Sequence, residues 1–183
     1  QVGDKILLVK GIPIEATAII AYEKVNDLRQ RGYDETFIRR AQNYLYDPGI
    51  SVVQAARLAA QHGGVHAMHD PTEGGLATGL HELAFAAGTG LCLEVDRVPI
   101  LEEGRRLCAE YGLDPLGAIA SGSLIVAVDP AEASSLLDAY TEANIPCACL
   151  GEILPRSEGV YAICDGERRT LPRYDKDEIA RIF

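Results

Sequence analysis

The chain has 183 residues, 48% of them hydrophobic and 24% charged, which suits one compact domain able to bury most of its apolar surface. Its formal net charge of −10 sets a repulsive field against phosphate backbones and anionic lipid, so neither nucleic acid nor a membrane surface is an expected partner; a local nucleotide pocket escapes that argument. No apolar run reaches the ~20 residues of a membrane-spanning helix, and no cleavable signal pattern opens the sequence.

From the N-terminus, Ile6 to Val9 reads as a strand. Gly11-Ile12-Pro13 breaks it, with Pro13 placed in the first turn of a helix running from Ile14 to about Gln30. A second helical stretch covers Glu35 to Tyr46 and stops at Asp47-Pro48-Gly49. Ser51 is placed to cap a third helix through Gln61, which Gly63-Gly64 closes. Val65 to Met68 is a short strand. A tight loop, Asp70 to Gly75, leads into a helix with an apolar stripe of Leu76, Leu80, Leu83, Ala84 and Ala87, and with Thr78, His81 and Glu82 on the opposite face.

Leu91 to Val95 then reads as a strand, Ile100 to Tyr111 as a helix ended by Gly112, and Ser123 to Val128 as a strand. Pro130 starts a helix with core positions Ala133, Leu136, Leu137 and Tyr140. Cys147 to Ile153 and Val160 to Cys164 are strands, and Asp165-Gly166 is a hairpin signal before Arg168 to Leu171. Helices alternating with strands predict a layered α/β (α+β) domain, a sheet covered by helices, and the final hairpin makes the sheet mixed. With no repeat, linker or low-complexity tract, residues 1–183 form a single domain.

The five cysteines are odd in number and lack a disulfide framework. Reduced, buried thiols of a cytoplasmic protein are the simple reading. Cys147 and Cys149 share one strand face, but no second Cys or His pair completes four zinc-type ligands, so no metal is expected. The single Met is Met68 and the chain opens directly before a strand, as a fragment of a longer protein would.

One segment carries chemistry: Met68-His69-Asp70-Pro71-Thr72-Glu73-Gly74-Gly75-Leu76. A strand ends and a helix begins within a few residues, and the first helical turn has unpaired N–H groups and a partial positive charge. Gly74 and Gly75 let another group approach the backbone, and Thr72 adds a hydroxyl, which together make a phosphate site. The same residues also fit a plain cap, with Asp70 or Thr72 capping, Pro71 fixing the turn and the glycines packing tightly. Glu73 opposes phosphate unless Mg2+ lies between, and alone it favours the helix dipole. His62, His66 and His69 lie close in sequence, but strand alternation puts His66 and His69 on opposite faces.

Asp70-Pro71-Thr72-Glu73-Gly74-Gly75-Leu76, followed by His81-Glu82-Leu83-Ala84, resembles the signature segment of HypE-type hydrogenase maturation factors. It resembles more distantly aminoimidazole ribonucleotide (AIR) synthetase, selenophosphate synthetase and thiamine-monophosphate kinase. Gly3 to Gly11, Gly112 to Leu116, Ala120 to Leu124 and Gly151-Glu152-Ile153 match in order. The resemblance implies the PurM-like C-terminal domain of a two-domain enzyme. An N-terminal domain would hold Mg2+, supply much of the ATP site and form a homodimer, and this domain would close over the phosphates. It implies nucleotide-side contacts at Asp70, Thr72, Gly74 and Gly75, with His69 and Glu82 as secondary candidates, and a maturation protein as a possible partner. HypE ends in Pro-Arg-Ile-Cys, whose thiol carries the carbamoyl group; here Ala180-Arg181-Ile182-Phe183 stands, and a phenyl ring cannot carry that group.

Three functions stay open at this point. The chain is half of an ATP-dependent enzyme, inactive alone; or a non-catalytic domain kept for dimerisation or regulation; or a free-standing small-molecule module.

Overall fold

Lys5–Val9 (β1) sends Ile6 and Leu8 into one apolar core and Leu7 and Val9 into another, so the strand is buried on both faces. It lies inside a seven-stranded sheet in the computed structural model, which describes residues 1–183. The other strands are Val65–His69 (β2), Gly90–Glu94 (β3), Leu124–Val128 (β4), Cys147–Leu154 (β5), Val160–Cys164 (β6) and Glu167–Thr170 (β7). Their order is β2-β4-β1-β5-β3-β6-β7. Only β3 and β6 run parallel; every other neighbouring pair is antiparallel. The sheet is mixed, as the closing hairpin predicts, and Asp165 and Gly166 both take positive φ in that turn.

The helices are Glu15–Glu23 (α1), Val25–Gln30 (α2), Glu35–Gln42 (α3), Val53–His62 (α4), Gly75–Ala87 (α5), Glu102–Tyr111 (α6) and Ala133–Glu142 (α7). Leu76, Leu80 and Leu83 of α5 pack on one sheet face with Ile6, Leu8, Leu91 and Leu93. Ala55 and Ala59 of α4, with Leu136 and Tyr140 of α7, cover the other face over Leu7, Val9 and Val126. Ile20, Leu28, Phe37, Ile38 and Leu107 join α1, α2, α3 and α6 in a separate helical core. Each such fully buried Leu, Ile or Phe contributes ~1.5–3 kcal/mol, so these three cores hold the layers together.

Four local expectations need correction. The helix from Ile14 to Gln30 is two helices, broken at Lys24, whose backbone (φ −102°, ψ 17°) leaves the helical region. Pro13 precedes the N-cap Ile14 instead of lying in the first turn. Ser51 does not cap α4: the N-cap is Val52 with no side-chain bond, and the Ser51 carbonyl accepts from Lys10 Nζ at 2.9 Å. Thr78 is not on a solvent face. It is buried because the tail after β7 covers it, and its hydroxyl accepts from the Tyr174 N–H at 3.1 Å.

Strand register gathers several chain turns at one end of the sheet. Val9 stands opposite both Leu124 and Cys147, and His69 opposite Ile125. Lys10, Asp70, Ser123 and Pro146 therefore all leave or enter the sheet at this end.

Candidate functional site

The α5 start sits at that sheet end. Gly74 is its N-cap in the left-handed conformation (φ 76°), and Gly75 follows at φ 63°. Three of the amides there are already bonded. Gly74 N–H donates to Asp177 Oδ2 at 2.8 Å, Gly75 N–H to the Thr72 carbonyl at 3.0 Å, and Ala77 N–H to the Leu116 carbonyl at 2.9 Å. A Cβ on Gly75 would meet the Leu116 and Ala118 carbonyl oxygens at 2.5 and 2.6 Å; one on Gly74 would meet Thr78 and the Tyr174 carbonyl. The expectation that Gly74 and Gly75 present free amides is thus corrected: their missing side chains admit the protein's own backbone. The helix start does take an anion, and the anion is Asp177.

Asp177 is the residue that sequence reading missed. Its Oδ1 also accepts from Ile119 N–H at 3.2 Å and Ile179 N–H at 3.0 Å, so one carboxylate ties the tail, the α6–β4 loop and α5 together. Tyr174 adds a second tie, its hydroxyl donating to Asp114 Oδ2 at 2.5 Å. Burial, then that carboxylate, pushes the Tyr174 phenol above its ordinary range. Leu171 fills the core beside α5, and Asp114 N–H donates to Glu178 at 2.9 Å. The only local signal was Asp177 itself, an N-cap type residue opening the short 3-10 turn Glu178–Ile182.

The remaining predicted residues lie on the outer side of the loop. Asp70, Thr72 and Glu73 are exposed, while Pro71 is buried between them and the helix. Hydrogen bonds from its own backbone N–H and from the Thr72 hydroxyl hold the Glu73 carboxyl below the usual carboxylate range, so it is ionised at neutral pH. His69 Nε2 lies 2.9 Å from Glu82 Oε2, which joins the two secondary candidates as one surface pair beside the loop. His66 faces away and contacts Asp4 at 2.9 Å, so the histidines do not converge. No group of three or more His, Cys, Asp or Glu side chains is arranged to hold a metal ion. All five cysteines are free, and burial pushes the Cys108 and Cys147 thiols up to about 12, which makes them poor nucleophiles. No helix is long and apolar enough to cross a membrane.

Known proteins share this architecture. Carbamoyl dehydratase HypE of Cupriavidus necator is 32% identical over 137 residues, 75% of this chain and 36% of that protein. The crystal structure of Escherichia coli HypE superposes with a TM-score of 0.77 at 25% identity, over all of this chain and 53% of that one. HypE in complex with ATP gives a TM-score of 0.70 at 22% identity, over 96% of this chain and 52% of that one. A chain in the crystal structure of a HypE–HypF complex gives a TM-score of 0.70 at 19% identity, over 95% of this chain and 54% of that one. The chain thus spans between a third and about half of the length of these relatives. A model of the AIR synthase related protein C-terminal domain matches residues 1–163. With that match over most of its length and a HypE-like fold over all of it, the chain belongs to the AIR synthase related family, as a C-terminal domain of HypE type.

Proposed function

We propose that this domain is the second half of an ATP-dependent enzyme and that the Asp70–Thr72 side of its α5 loop faces the nucleotide bound by an N-terminal domain. The observation that carries the reading is the exposed polar edge formed by Asp70, Thr72 and the His69–Glu82 pair, at the sheet end where the loops collect. ATP enters from the likeness to HypE crystallised with ATP. The residues present fit that role in part. The Thr72 hydroxyl, bonded to the Glu73 carboxyl in this structure, would turn from it to reach a phosphate oxygen, while Gly74 and Gly75 shape the loop and donate nothing outward. Asp70 and Glu73 would face phosphate only across a cation. With no three-ligand cluster in this chain, Mg2+ would need further ligands from the N-terminal domain. ATP bound there supplies a phosphoryl group; this chain's residues orient it and exclude water.

A homodimer through the N-terminal domain, a cytoplasmic location and a maturation-protein partner follow from the same reading, the last from the likeness to HypE in its complex with HypF. The second reading, a non-catalytic domain, gains from one observation: Asp177 occupies the helix start that would otherwise receive an anion.

Calorimetry of Mg-ATP binding to the two-domain protein separates the two readings. Thr72→Ala and Asp70→Asn are each expected to weaken binding about tenfold, or ~1.4 kcal/mol. Unchanged affinity in both would remove the loop from the nucleotide site.

A further inference from the structure

A cavity of about 680 Å3 opens at the same sheet end, away from the α5 loop, where β1 runs out at Lys10. It is lined by Lys10, Tyr46, Asp47, Ser51, Gln54 and Asn144, among others. Lys10 itself is conformationally unusual. Its φ is +73°, a left-handed backbone that costs a non-glycine residue about 1–2 kcal/mol. Glycine would take that conformation freely, so the backbone alone gives no reason for a lysine here. What the lysine brings is a half-buried ammonium. Its Nζ donates to the Gly49 carbonyl at 2.8 Å and the Ser51 carbonyl at 2.9 Å. An ammonium has three donors, so one is left over. No carboxylate lies within ion-pair distance of Lys10, in a chain with 27 acidic residues and a net charge of −10. Burial lowers the Lys10 pKa, as expected for a cation without a counter-charge.

A strained backbone, a cation without an ion-pair partner and a cavity of mixed apolar and polar lining meet at one residue, and that combination marks a binding site more strongly than any one of them. We propose that this cavity binds the carboxylate of a small polar organic acid on the free donor of Lys10, with Asn144, Gln54 and Ser51 available to the polar remainder. Asp47 lines the same cavity and disfavours a phosphate dianion, so a singly charged carboxylate is the better match, and Asp47 is available to an amine on the same ligand. The site uses none of the α5-loop residues and stands whether or not the domain serves a nucleotide.

The alternative is that Lys10 only clamps the Gly49–Ser51 loop. Backbone amide NMR on the intact protein, titrated with glycine, glycolate and inorganic phosphate at millimolar concentrations, decides between them. The proposal expects saturable shifts at Gly49, Ser51, Gln54 and Asn144 with glycine or glycolate and weaker ones with phosphate. Lys10→Met should reduce the affinity about tenfold or more, and Lys10→Arg should keep most of it. Because Lys10→Met also removes the clamp, Asn144→Gly serves as a second variant: glycine keeps the left-handed backbone (φ 56°) and removes only the side chain, so affinity should fall without loss of fold. No saturable shift with either carboxylate, equal binding in Lys10→Met, or phosphate as the preferred probe would each overturn the proposal.

Discussion

Gly75 shows most directly how the α5 start is built. At φ +63°, with two backbone carbonyls within 2.6 Å of an added Cβ, it has no room for a side chain. Gly75→Ala should cost ~2 kcal/mol or more, from the left-handed backbone and the displaced carbonyls together. That corresponds to a fall of about 4–8 °C in Tm for a chain of this size; an unchanged Tm would mean that the loop does not pack as described. Asp177→Ala leaves the Gly74, Ile119 and Ile179 amides without their acceptor and should cost about 1–3 kcal/mol, with Asp177→Asn milder because one oxygen remains. Chemical denaturation of both variants checks the order; equal loss in the two would contradict it. The sequence made an anion-seeking helix start legible at Gly74, because glycine spacing and helix ends are local. It did not reveal the anion, since Asp177 lies 103 residues further on and only the folded tail brings it there.

Strands and most helices were readable because apolar periodicity is a local property. β1 is a continuous apolar run, and the Asp165-Gly166 turn is a local signal. The break at Lys24 was not readable: no Gly or Pro marks it, and the new direction of α2 is set by Leu28 packing against Phe37 and Ile38. Thr78 was assigned to solvent for a similar reason, as the tail that covers it is a tertiary contact.

The junction of α3, the Asn43–Leu45 turn and α6 carries a pH-dependent contact. Burial alone would raise the Glu103 pKa, but hydrogen bonds from the Tyr44 hydroxyl and its own backbone N–H, with the Arg40 charge, outweigh this and leave it below 4.5. A carboxyl depressed on folding adds stability above its unfolded pKa, and that stability is lost as pH falls below about 4.5 toward the folded value. Glu103→Gln should therefore cost about 1 kcal/mol at neutral pH and less in acid, below 4.5, where the wild-type carboxyl takes up its proton. Urea unfolding at neutral and at acid pH tests this, and a difference that persists undiminished in acid would contradict it.

For the molecule as a whole, the layered fold and the family were both legible, since the signature segment and several flanking segments occur in order along the chain. The function was less so, because the chain covers only 53% of the Escherichia coli HypE chain. On the proposed reading this domain contributes a polar loop edge, and it holds no complete metal cluster, so nucleotide affinity is expected only with an N-terminal domain present. Titration of Mg-ATP into the two-domain protein and into this chain alone, side by side in a calorimeter, tests that claim most directly. Saturable binding by the joined protein and none by the single domain is the predicted result. Tight binding by the single domain, or no binding by the joined protein, would contradict it.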